Sequence, residues 1–159
     1  MDFSRLPMTL EAKVEEQHLD FLGHMNVMWY THFFDIATWN WYDSFGFGHD
    51  YHTNSGNGSF ALEAHTRYLA ELRLGDGFKI YSRAIARNAK LFLMMHFMTR
   101  ARDDELAATL ELLGTHIDMA TRRSSPLAPE AAALWDQQIT AHSQIGWDPP
   151  LSGAIRIAP

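Results

Sequence analysis

Residues 27–45 constrain the chain more than any other stretch. They include Val27, Met28, Trp29, Tyr30, Phe33, Phe34, Ile36, Ala37, Trp39, Trp41, Tyr42 and Phe45. On a helix of 3.6 residues per turn these side chains fall on nearly every face, and Asp35, Asn40 and Asp43 leave only a narrow polar stripe. A helix of that kind predicts that other parts of the protein wrap around it. It would be about 28 Å long at 1.5 Å per residue. Asn26 stands where an N-cap would accept from first-turn N–H groups, and Gly46 is a C-terminal stop.

Around this segment the rhythm is different. Residues 1–10 read as an irregular arm and 11–19 as a short strand. Residues 46–58 hold four glycines, two asparagines and two histidines and read as a loop. From Ser59 the period becomes two. Phe60, Leu62, Ala64, Thr66 and Tyr68 alternate with Ala61, Glu63, His65, Arg67 and Leu69, which predicts a strand of about a dozen residues. Turn signals at residues 75–77, 88–90 and 102–105 then separate strands over 78–88, 91–101 and 106–119. The last of these also has a helical reading, since 105–114 is rich in Ala and Leu; the hairpin rhythm favours strand. Residues 91–101 are apolar on both faces, which predicts a cover over the second face, expected from a second subunit. Pro126 and Pro129 bracket a linker, and 130–143 reads as a short helix. The domain expectation is a main domain over 1–123 with a C-terminal extension over 124–159 packed on it. The fold class is α+β: a long helix embraced by an antiparallel sheet.

Composition narrows the function. With 159 residues, 47% hydrophobic and 20% charged, one packed domain is expected. A net charge of −6 argues against non-specific binding to nucleic acid or an anionic membrane. There is no cysteine, which excludes disulfides, thiolate metal sites and cysteine nucleophiles. No apolar run reaches about 18 residues, and the first residues lack the basic and apolar regions of a signal peptide. A soluble cytoplasmic protein is the expectation. Nine histidines raise the question of a metal, but His24 and His32 are eight apart, His49 and His52 are three apart in a loop, and no HExxH occurs, so none is expected.

The chemistry gathers just before the long helix. Asp20, Gly23, His24, Met25 and Asn26 place an acid, a glycine, an imidazole and an amide where a loop becomes a helix, whose first N–H groups lack internal acceptors. Asp20 reads either as a nucleophile or general base, or as a carboxylate placed by the helix dipole. Gly23 reads as a point of close backbone approach or as a turn. The Val27 N–H is a candidate oxyanion donor, with the amides of Gly23, His24 and Met25 beside it. Asn26 reads as site residue or cap, and His24 as base, water-holder or solvated loop residue. Trp29 and Tyr30 are candidates to meet a substrate, or core. Glu63 and His65 share a strand face and could reach a site across a dimer interface, or form a surface pair. Arg87, Lys90, Arg100, Arg102, Arg122 and Arg123 lie at strand ends, where some could bind phosphates.

The pattern Asp-x-x-Gly-His-x-Asn at 20–26, followed by the aromatic helix, resembles the hotdog-fold acyl-CoA thioesterases of the 4-hydroxybenzoyl-CoA thioesterase type. Three further stretches are similar to the betainyl-CoA thioesterase branch: Glu-Ala-His-Thr-Arg-Tyr-Leu-Ala-Glu-Leu-Arg-Leu-Gly-Asp (63–76), Asp-Glu-Leu-Ala-Ala-Thr-Leu-Glu (104–111) and His-Ile-Asp-Met-Ala-Thr-Arg-Arg-Ser-Ser-Pro (116–126). The resemblance implies a hotdog fold working as a homodimer or homotetramer, with active sites at the dimer interface. It implies an acyl-CoA as substrate and no separate cofactor. Asp20 would be the catalytic carboxylate, and the Val27 N–H would hold the thioester oxygen. Another hotdog branch uses a glutamate from the central helix, and this helix has none. The competing functions are a non-catalytic hotdog binding module and a hotdog dehydratase or hydratase.

Overall fold

The segment behind Asn26 is the longest helix of the chain. The computed structural model describes residues 1–157. The order is β1 (Met8–Lys13), a 3-10 turn (Glu16–His18), α1 (Val27–Ser44), α2 (His49–Ser55), β2 (Asn57–Tyr68), β3 (Gly77–Arg87), β4 (Leu91–Arg100), β5 (Leu106–Asp118), β6 (Arg123–Ser124) and α3 (Pro129–Ser143). The expected strand over 11–19 begins earlier, at Met8, and gives way to the 3-10 turn. Residues 46–58, expected as a loop, contain α2. The ambiguous stretch 106–119 is strand β5, as expected.

α1 is less wrapped than its composition suggests. Tyr30, Phe33, Phe34, Ala37, Thr38, Trp41 and Tyr42 are buried, at a spacing of three and four. The opposite side, with Thr31, His32, Asp35 and Asn40, is exposed, as are Val27 and Met28. The sheet therefore takes one face of the helix. Phe34 and Trp41 lose all their exposure, and burying side chains of this size stabilises by about 2 kcal/mol or more each. Asn40 donates from Nδ2 to the Thr9 carbonyl at 2.9 Å, which ties α1 to β1.

The sheet is antiparallel and curled, in the order β1-β3-β4-β5-β2, with β6 paired to β5. β3, β4 and β5 form a meander, but β2 does not pair with β3. Residues 69–76 carry the chain across, and β2 lies at the far edge against β5. The glycines at 75–77, read from sequence as a hairpin turn, end this crossing; Gly75 has φ +86°. At 88–90 the expected tight turn forms, with Asn88 Oδ1 accepting from Lys90 and Leu91 N–H. Gly114 on β5 leaves room for the Phe92 ring, which a Cβ there would meet at 2.1 Å.

The second face of β4 is covered by the chain's own ends, so a second subunit is not needed there. Phe3 stacks on Tyr81 at 5.3 Å, and Leu6, Met95, Phe97 and Ile145 form one cluster with Trp147 packed on it. Leu93, Leu113 and Ile155 form another. Arg83 lies 4.5 Å over the Trp147 ring and donates to its carbonyl at 2.9 Å. The buried Glu111 accepts from the Ser152 N–H at 2.7 Å and so latches the C-terminal strap. On the other side, Trp135 of α3 stacks on Phe92 and meets Trp41 edge-on, and Arg87 pairs with Asp136. Inside the core, His96 is held between the Thr38 hydroxyl at 3.0 Å and the Ser82 hydroxyl at 2.8 Å.

Candidate active site

The loop before α1 is a tight, braced turn. Asp20 N–H donates to the His24 carbonyl at 3.0 Å, and Gly23 N–H donates to the Asp20 carbonyl at 3.1 Å. Gly23 has φ +83°, a conformation that favours glycine at the corner. Met25 N–H donates to the Leu72 carbonyl at 2.7 Å and Asn26 N–H to the His18 carbonyl at 2.9 Å. Met25 is buried and anchors the loop, whereas Phe21 at its tip is 95% exposed.

This bracing leaves a particular set of groups free. Asn26 Oδ1 accepts from Met28 N–H at 3.0 Å, so its side chain serves as the N-cap. Val27, the first helical residue, has an N–H with no acceptor inside the helix, at the positive end of the helix dipole. Asp20 Oδ1 accepts from Leu22 N–H at 2.8 Å, and Oδ2 lies 3.4 Å from His24 Nδ1. The carboxylate is only 18% exposed. His24 lines a cavity of about 250 Å³ together with Met25, Val27, Tyr30, Tyr68, Leu69, Ala70 and Glu71. Tyr30 and Tyr68 meet edge-on at 5.1 Å, and burial raises the Tyr30 phenol above its ordinary range. A carboxylate-imidazole pair, an unpaired amide and apolar walls can hold a carbonyl and activate water against it.

Of the candidates from sequence, Asp20, Gly23, His24, Met25, Asn26, Val27 and Tyr30 come together here. Trp29 turns toward His18, ring to ring at 4.5 Å, and does not line the cavity. Glu63 and His65 sit on the edge strand, near an irregularity in the pairing between Ala61 and Glu63, and are not among its lining residues. Tyr68, Leu69 and Glu71 line it and were missed, because the pairing that folds residues 68–71 back beside the helix start is long-range. Of the candidate phosphate binders, Arg87, Arg100 and Arg102 are engaged by Asp136, Asp103 and Asp76. Arg122 lies 5.2 Å over the Phe60 ring.

A second recess, of about 100 Å³, opens further along α1. Asp35, Trp39, Tyr42, Phe60 and Phe92 are on its wall. Among the described residues no group of three or more His, Asp or Glu side chains is placed to hold a metal ion, and no helix is long and apolar enough to cross a membrane.

Residues 14–135 match the family described as the thioesterase-like superfamily. The chain is 26% identical over 155 residues to an L-carnitine dehydrogenase/betainyl-CoA thioesterase of Ruegeria pomeroyi, covering 98% of this chain and 31% of that protein. It thus spans about a third of that relative's length. It is 24% identical over 139 residues to a betainyl-CoA thioesterase of Pseudomonas aeruginosa, covering 87% of each. A Staphylococcus aureus protein solved in complex with CoA superposes with a TM-score of 0.83 at 25% identity, over 97% of this chain and 96% of that one.

Proposed function

The chain belongs to the thioesterase-like superfamily, and from that membership we propose that it hydrolyses an acyl-CoA thioester at the start of α1. The observation that carries the reading is the Asp20–His24 pair beside the unpaired Val27 amide. His24 lines the cavity and Asp20 stands behind it, which favours water activation over direct attack by the carboxylate. In this reading His24 takes the proton as water adds to the thioester carbonyl, and Asp20 steadies the imidazolium. The Val27 N–H receives the developing oxyanion, a contact worth about 3 kcal/mol of barrier. Collapse expels the coenzyme A thiolate, which recovers the proton from His24.

The same reading makes the enzyme a homodimer. β2 is a twelve-residue edge strand, Leu62 at its middle is 54% exposed, and edges of that length rarely stay unpaired. Antiparallel pairing of two β2 strands about a two-fold axis lays one copy's Tyr68 end beside the other's Ser59 end. The helix-start cavity of one copy then adjoins the aromatic recess of the other. Within one chain that recess is out of reach, since Asp35 lies eight residues, about 12 Å, along α1 from Val27. The Trp39 and Phe60 rings and the Asp35 carboxylate on the wall of the recess suit a quaternary ammonium group. That favours a small cationic acyl-CoA of the betainyl type, the substrate in the names of the relatives.

Release of free coenzyme A over a panel of acyl-CoA esters tests this. The expected outcome is hydrolysis of at least one ester, with kcat falling by about 100-fold or more in Asp20→Asn. Undiminished turnover in that variant, or no turnover of any ester by the wild type, refutes the reading.

A further inference from the structure

Beside the Asp35 recess, with which they share Trp39, Ser59 and Phe60, α2 and the first residues of β2 bring His52 and Ser59 together. His52 Nδ1 lies 2.7 Å from the Gly48 carbonyl oxygen. A carbonyl only accepts, so Nδ1 carries the ring proton and Nε2 keeps its lone pair. Nε2 is 3.1 Å from Ser59 Oγ, and the hydroxyl must therefore be the donor. This is the relation an activated nucleophile needs: a hydroxyl hydrogen-bonded to a base, and the base oriented by a third group.

The frame that holds the pair is rigid. Gly48 packs so closely on Asp43 that an added Cβ would lie 1.8 Å from its carboxylate. The Tyr51 hydroxyl bonds His116 Nε2 at 2.8 Å, and His116 Nδ1 faces the Ser125 carbonyl at 3.2 Å, so α2 is fastened to β5. The His52 ring sits edge-on to Phe47 and Trp39. Its burial lowers the imidazole below the ordinary range, which keeps the ring neutral at pH 7 with its Nε2 lone pair available. Ser59 and His52 open on a cavity of about 380 Å³ with Trp39, His49, Phe60 and Met119 on its wall, space enough for a short acyl group.

We propose that Ser59 and His52 form a serine-based acyl-acceptor site that takes short acyl groups from activated esters or thioesters. Ser59 Oγ bonds to the acyl carbon as its proton passes to His52 Nε2. The C–O or C–S bond to the leaving group breaks, and that group departs with the proton. Water then cleaves the seryl ester by the same route, returning Ser59 and releasing the acid.

The site adjoins the recess assigned above to the acyl group but uses neither Asp20 nor His24, and the test separates the two readings. The protein is incubated with a small alkyl fluorophosphonate, which a basic serine captures with loss of fluoride, and adducts are followed by intact mass and peptide mapping. The expected result is one adduct, on Ser59, formed equally in Asp20→Asn and absent in Ser59→Ala. His52→Gln should slow it by about 100-fold. In the wild type the labelling rate should fall as acid protonates His52, a readout that needs no variant. No adduct on Ser59, a rate flat with pH, or a rate unchanged in His52→Gln overturns the proposal.

Discussion

Acid should reach this protein's core through His96. The ring is fully buried, with a hydroxyl at each nitrogen and no carboxylate against it, and burial pulls its imidazole down from 6.5 to about 3. In the unfolded chain it titrates near 6.5. The unfolded state therefore takes up a proton that the native state refuses, and stability is complete above pH 6.5 and drains away as pH falls toward 3. At pH 4 the gap from 6.5 is about 2.5 pH units, which at about 1.4 kcal/mol per unit removes about 3 kcal/mol. That is a large share of the 5–15 kcal/mol, roughly, that holds a domain together. His142, pulled down to about 4 chiefly by burial, acts in the same direction. Urea unfolding at pH 7, 5.5 and 4 measures the effect in the wild type and in His96→Gln, whose amide can hydrogen-bond but not titrate. The variant should be less stable at pH 7, yet lose about 3 kcal/mol less than the wild type between pH 7 and 4. If the two lose stability in parallel, the buried imidazole is not the acid-sensitive group.

Two further outcomes follow from the helix start and the sheet edge. Asn26→Ala removes the side-chain N-cap of α1 and should cost about 1 kcal/mol, seen as a lower melting temperature, with a fall in thioester turnover as the Val27 amide loses its fixed position. An unchanged melting temperature would show that the first turn is held by the loop alone. Leu62→Lys puts a charge at the middle of β2 and should convert a dimer to a monomer in sedimentation velocity, with turnover lost at the same time; a dimer that survives means the copies do not pair along β2.

Much of the candidate site was legible because its parts are close in sequence. Asp20, Gly23, His24, Asn26 and Val27 lie within eight residues, and a cap, a glycine corner and a helix N-terminus are local features. The distant contributors were not legible. Tyr68 reaches the cavity through the pairing of β2 with β5 and Glu71 through the contacts of Leu72 and Arg73 with Met25 and His24, and Ser59 meets His52 only because α2 forms in a stretch whose glycines read as loop. His116 on β5 anchors the Tyr51 hydroxyl of α2, a contact across 65 residues that no local pattern announces.

What the sequence alone determined was periodicity and its punctuation: where helix gives way to strand, where α1 starts and stops, and which stretches are apolar on two faces. Those properties are set by neighbours three or four residues away in a helix and two away in a strand. Only the tertiary structure decided how the faces were shared out. The aromatic content of α1 read as a helix wrapped all round, yet the sheet covers one side and leaves the other open, with Asp35 at a recess. The apolar second face of β4 read as a subunit contact, yet Phe3, Leu6, Trp147 and Ile155 cover it. Hydrophobic burial has no direction, so a sequence records how much apolar surface must be hidden. Which part of the chain hides it is decided by loop lengths, strand order and packing.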